Sequence, residues 1–174
     1  MQPVLPVLAA LCLGIAPLSA HAEEAPKPVS LGTAKAWSAY SASEKNNVVC
    51  YVVGHPEKSL PANITRGRVD VQVTHRPAEK AFNVVDFELG FTAKSGSSAE
   101  LDIDGKKFTL FTNKDSAWTQ DAASDKAVAD AMSKGKQAVL KATSEHSINT
   151  TDTYALPGFG QMLALADKAC HVKR

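Results

Sequence analysis

The chain has 174 residues, with 19 Lys or Arg against 18 Asp or Glu and a formal net charge of +1. That length sets a single domain as the prior. The charges are interspersed, and no basic block or aromatic-interleaved basic stripe is present, which excludes nucleic acid as a partner.

The opening stretch, "MQPVLPVLAALCLGIAPLSAHA", contains no Lys, Arg, Asp or Glu. Its apolar run has the length of a signal h-region, and Ala20-His21-Ala22 has the small-x-small form that signal peptidase reads. Pro3, Pro6 and Pro17, with the shortness of the run, argue against a membrane-spanning helix. Cys12 follows Leu11 rather than a small residue, which argues against a lipoprotein. The expectation is a cleaved signal peptide over residues 1–22 and a mature start at Glu23. The protein then has no membrane-spanning segment, and its expected location is the periplasm or an associated surface. "EEAPKPVSLGTAK" reads as a polar, Pro-bearing leader, flexible over 23–34, ahead of one domain over 35–174. Cleavage leaves two cysteines, Cys50 and Cys170. In an exported protein two cysteines allow one connectivity, so a disulfide is expected.

"AKAWSAYSA" is the first predicted strand, with Trp37 as its core anchor. "NNVVCYVVGH" is the second; it carries Cys50, and its Val-rich surroundings suit burial on both faces. "HPEKSLPANITRG" is a turn-rich connection. Val69, Val71 and Val73 then alternate with polar residues, as do Val85, Phe87, Leu89 and Phe91, which predicts a pair of half-buried strands. Opposed residues of an antiparallel pair share a face. A five-residue loop, Pro77 to Ala81, sets Val73 against Val85, Val71 against Phe87 and Val69 against Leu89. A two- or four-residue loop breaks this match unless a bulge intervenes.

"AELDIDGKKFTLF" is a second hairpin, with Asp104-Gly105 as a type I′ turn. It opposes Leu101 to Phe108, Ala99 to Leu110 and Asp102 to Lys107. "ASDKAVADAMSKG" predicts a helix capped by Ser124, with Ala127, Val128, Ala131 and Met132 inward and Gly135 past its end. "KQAVLKATS" and "INTTDTYAL" predict two further strands. "GFGQMLALADKAC" places Phe159, Met162, Leu163, Ala166 and Cys170 on one helical face. The expected fold is mostly β: an antiparallel β-sandwich or partly closed barrel of seven or eight strands with two helices, one of them C-terminal.

His75, Arg76, Glu79 and Lys80 supply acid, base and cation within six positions. No nucleophile accompanies them, so the expectation is a solvated hairpin tip that serves, if anything, as an interaction surface. Trp118 lies between polar connections and is read first as a core lid, second as part of that surface. Glu100, Asp102, Asp104 and Gly105 match the first half of a calcium loop, but the twelfth position is Phe111 where a bidentate Glu is required. The histidines have no ligand spacing, and no G-x-S-x-G or phosphate-cradling Gly loop occurs. No catalytic residue, metal or cofactor is expected.

Several stretches in order, "VTHRPAEKAFNVVDFELGF", "FTLFTNKDSAW", "AMSKG" and "TTDTYALPGF", with the late Cys170, resemble the invasion-associated locus B family of bacterial exported proteins. The resemblance spans residues 37 to 170. It departs in the tail, where Ala155-Leu156-Pro157-Gly158-Phe159 stands in place of the Ser-Leu-x-Gly-Phe common in the family. The resemblance implies a periplasmic or surface-associated protein, with a link to host-cell invasion in the family name and no enzymatic activity. The expected function is non-enzymatic binding of a protein or other envelope partner. The alternative is carriage of a small apolar envelope ligand in a β cavity.

Overall fold

A computed structural model describes residues 27–173. The signal-peptide expectation falls on residues outside that range. The strands are β1 (Val29–Ala34), β2 (Trp37–Glu44), β3 (Asn47–Gly54), β4 (Lys58–Leu60), β5 (Asp70–Arg76), β6 (Ala81–Glu88), β7 (Ser98–Ile103), β8 (Lys106–Asn113), β9 (Ser116–Trp118), β10 (Gln137–Thr143) and β11 (Asn149–Ala155). The helices are α1 (Ala122–Lys134) and α2 (Phe159–Ala169). The strands form one sheet in the order β1-β2-β3-β5-β6-β9-β8-β7-β10-β11-β4. The sheet curls without closing. Trp37 near one end donates its indole N–H to the Ala155 carbonyl near the other, at 2.8 Å. The result is the mostly β, partly closed architecture expected, with its two helices.

The strand count is eleven rather than seven or eight. The additional strands are short or polar. β4 and β9 have three residues each, too few to show a period. β1 is largely exposed and corrects the reading of 23–34 as a leader: residues 29–34 pair with β2, through a register shift between Ser30 and Gly32.

The first hairpin keeps the expected Val71–Phe87 and Val73–Val85 pairs but not the five-residue loop. Thr74 opposes Val84 and Arg76 opposes Ala81, so one extra β6 residue bulges across from His75. The loop is a four-residue 3₁₀ turn, Pro77 to Lys80. Lys80 and Asn83 take left-handed backbones, φ 54° and 59°, and the bulge restores the register that an even loop alone would have broken. The ladder stops at Asp70–Glu88, and the Leu89 amide turns instead to the Asp115 carbonyl. The second hairpin matches throughout: Leu101 opposes Phe108, Ala99 opposes Leu110 and Asp102 opposes Lys107.

The core lies on the concave side, where Val52, Val71, Val73, Val85, Phe87, Leu101, Leu110, Leu140 and Tyr154 are buried. Both helices add to this side. Val128, Ala129 and Met132 of α1 are buried, and so are Phe159, Met162, Leu163 and Ala166 of α2. Phe159 meets Trp37 edge to face, with ring centroids 4.8 Å apart. The N-cap of α1 is Asp121, not Ser124: its carboxylate accepts from the Ser124 amide at 2.7 Å. α2 starts after Gly158, whose φ of +101° admits little else, and a Cβ there would meet the Ala34 carbonyl oxygen at 2.5 Å.

Candidate functional site

The structure separates the residues that sequence reading had grouped. Glu79 and Lys80 are exposed on the hairpin tip. Arg76 is half-buried and reaches Glu44 at 3.3 Å. His75 corrects the tip reading: it is fully buried. It continues the inward alternation of Val71 and Val73, and the bulge at Asn83 makes room for its ring. Trp118 lies two strands away from β5, on the other face of the sheet. These five residues make no common site.

His75 is instead a fastener. Its Nδ1 accepts the Asn83 amide at 3.0 Å, so that nitrogen carries no proton. Its Nε2 lies 3.0 Å from an Asp167 carboxylate oxygen on α2, close but outside hydrogen-bond geometry. Both nitrogens face protein groups in the interior, the Asn83 amide and the Asp167 carboxylate. On β3, Cys50 pairs directly with His75 and forms a disulfide to Cys170, with Cα atoms 6.0 Å apart. The bridge and the His75–Asp167 contact together hold the end of α2 to β3 and β5.

The acids of the calcium-like run are also spent locally. Asp102 accepts from the Gly105 amide at 2.7 Å. Asp104 accepts from the Lys136 and Gln137 amides at 2.7 and 3.2 Å, tying the turn to the start of β10. Glu100 pairs with Lys107 at 3.2 Å. Among the described residues, no group of three His, Cys, Asp or Glu could hold a metal ion.

What faces solvent is the convex side of β2, β3, β5, β6, β9 and β8. Opposed pairs share a face, so the register assembles two stepped rows across it, two residues apart on β5 and β6. Tyr40 opposes Tyr51, Tyr51 opposes Thr74, and Thr74 opposes Val84. Gln72 opposes Asp86, Asp86 opposes Trp118, and Trp118 opposes Phe111. Tyr40 and Tyr51 stack with centroids 5.3 Å apart. Tyr40, Tyr51, Gln72, Asp86 and Trp118 are half-buried, and Phe111 is 44% exposed. Among the described residues, no helix covers this side. Sequence reading missed the rows, although Asp86 and Glu88 sit two apart on a recognised strand and so share its outer face.

The face carries unbalanced charge. Among the described residues, Asp70, Asp86, Glu88 and Asp115 gather around a single cation, Arg68, which reaches Asp70 at 2.7 Å and Glu88 at 3.7 Å. Burial, then the neighbouring Glu88 and Asp70, raise the Asp86 pKa to about 7, against an opposing hydroxyl contact from Ser116 and the charge of Arg68. Burial and then Asp115 also raise Glu88. A carboxyl raised on folding binds protons better folded than unfolded, so its stabilisation is present below about pH 4 and lost as pH rises through about 7. Asp86 is partly exposed, so solvent screening trims its share to about 1–2 kcal/mol. Asp86→Asn should therefore flatten the fall in stability between pH 4 and 8 and leave the variant more stable at pH 8. Urea unfolding across that range checks it; parallel wild-type and variant curves would contradict it.

A second buried charge was also missed. Arg66, in the connection before β5, makes two 2.7 Å contacts to Asp152 of β11, with side chains 7% and 1% exposed. Its remaining donors reach the Leu89 carbonyl. The pair fastens the connection and the end of β6 to β11.

Surface concavities are mixed in character, and one of about 420 Å³ between Pro28, Ala42, Val49 and Tyr51 is mainly apolar. One groove of about 480 Å³ runs over Glu100, Thr109, Lys141 and Thr151. Another, of about 240 Å³, is lined by Arg68, Glu88, Gly90, Phe91 and Asp115. Among the described residues, no helix is long and apolar enough to cross a membrane. In comparisons with known proteins, a family model described as Invasion associated locus B (IalB) protein matches residues 37–167. No curated protein and no solved structure matches the chain.

Proposed function

The chain belongs to the invasion associated locus B family, and from that membership we propose that it is an exported, non-enzymatic interaction protein of the periplasm or an associated surface. Family and disulfide together support export, since such bonds persist in oxidising compartments. The observation that carries the binding role is the convex face, which no helix covers among the described residues. One side of the sheet is sealed by two helices. The other presents rows of half-buried aromatic and polar side chains, a composition suited to partner recognition. The inward-facing nitrogens of His75 support a role other than catalysis. The interior is filled by Trp37, Phe87, Leu101, Tyr154 and Phe159, each 0–1% exposed, which favours interaction at a surface over carriage of a ligand inside.

Native mass spectrometry of the protein released from its own envelope tests this. The expected spectrum contains a complex with a second macromolecule. A stoichiometric small apolar ligand would instead support the carrier role and overturn this one.

A further inference from the structure

We propose that the convex face recognises a cationic, extended polypeptide segment, with Asp86 and Glu88 pairing its Lys or Arg side chains and Trp118 stacking on them. This names the partner chemistry of the interaction role above and rests on it. The first argument is charge. Among the described residues, four carboxylates, Asp70, Asp86, Glu88 and Asp115, share one arginine, so the cluster is complementary to added positive charge. The second is unmet hydrogen-bonding capacity. The Asp70 side chain is 2% exposed, yet its Oδ1 has no protein donor, and neither does Asp86 Oδ1. Buried carboxylate oxygens are ordinarily satisfied, so these two leave negative charge beneath the face that a guanidinium or ammonium paired with Glu88 and the outer oxygen of Asp86 would offset.

The third argument is the neighbour. Trp118 sits directly across from Asp86, so an indole and a carboxylate project from neighbouring strands on the same face. Carboxylate beside aromatic ring is the arrangement that holds a cation by pairing and cation–π attraction together. The fourth is length. The two stepped rows together run from Tyr40 on β2 to Phe111 on β8, six adjacent strands. At about 4.8 Å between strands this is roughly 24 Å, the reach of about seven extended residues. A single amine headgroup would fill one station of those rows, whereas a peptide would span them. Metal binding is disfavoured because no group of three ligating side chains converges among the described residues.

Asp86 couples binding to protons. The groups facing it are Asp70 and Arg68 from the β5 side, Glu88 on its own strand, and Ser116 from β9. A bound cation stabilises its ionised form, so binding releases a proton and strengthens from pH 5.5 to pH 8.

The test is calorimetric titration of the purified protein with an unstructured Arg-containing heptapeptide, with a Gln analogue of the same length as control. The proposal expects binding of the basic peptide only, at least tenfold weaker for Asp86→Asn/Glu88→Gln. It also expects weakening for Trp118→Ala, in salt, and at pH 5.5. Asn and Gln preserve shape, and circular dichroism confirms that each variant is folded. Equal affinity in wild type and the carboxylate variant would overturn the proposal. So would binding to phosphatidylethanolamine vesicles without binding to the peptide. If no basic peptide binds while native mass spectrometry still shows a partner, this proposal fails and the interaction role stands.

Discussion

Reducing the Cys50–Cys170 disulfide should lower the melting temperature by roughly 5–15 °C and open the segment 159–173 to protease before any other part of the core. The bond joins residues 120 apart in sequence. A loop on the order of 100 residues gives about 4.7 kcal/mol in the chain-entropy description, and the loss measured in small exported domains is about 2–5 kcal/mol. At about 2–4 °C per kcal/mol for a domain near this size, that is the shift expected. The order of events follows from the anchors of α2. Its first turn is held by Phe159 on Trp37, while its last is held by Cys170 and by Asp167 on His75. Cutting the bridge leaves that last turn on the Asp167–His75 contact and the packing of Ala166. Cys50→Ala/Cys170→Ala should reproduce the effect without reductant. Proteolysis that begins at the Pro77–Lys80 turn in the reduced protein would show that the bridge does not dock the helix.

Arg66→Met should cost about 3–5 kcal/mol, because it leaves the Asp152 carboxylate buried without its counter-charge. Asp152 is 1% exposed and lies beside the buried Tyr154, whose hydroxyl is itself pushed up by burial and by Asp152. Nothing nearby replaces the two 2.7 Å contacts. Arg66→Lys should recover only part, since an ammonium cannot make the paired fork or keep both contacts to the Leu89 carbonyl. Removing both charges, as Arg66→Met/Asp152→Leu, should restore most of the loss, because a buried pair is costly to desolvate in the first place. Urea unfolding of wild type, Arg66→Met, Asp152→Leu and the double variant closes the cycle. Additive losses would contradict the pairing.

Much of this fold was legible because its strands bury one face. The alternation of Val71 and Val73 against Val85 and Phe87 fixed the register even though the loop length was misjudged. Asp104-Gly105 fixed the second hairpin outright. The face from Phe159 to Cys170 placed α2 and aimed its sulfur inward. His75 was legible too, and was overlooked. It stands two residues from Val73 and four from Val71, so parity alone turns it inward; grouping it with Arg76, Glu79 and Lys80 put chemistry ahead of geometry. Other features could not be read locally. β9 is three residues long, yet its pairing is what sets Trp118 beside Asp86. Arg66 and Asp152 are 86 residues apart, and neither flanks a motif. The leader gave no strand signal because β1 borrows its stability from β2 and α2, not from its own apolar content.

Site-specific photo-crosslinking in the native envelope most directly tests whether the convex face, and not the hairpin tip, is where this protein meets its partner. A crosslinking residue placed at Gln72 or Trp118 should capture a macromolecular partner, and one placed at Lys80 should not. Capture from Lys80 alone, with none from Gln72 or Trp118, would contradict the account.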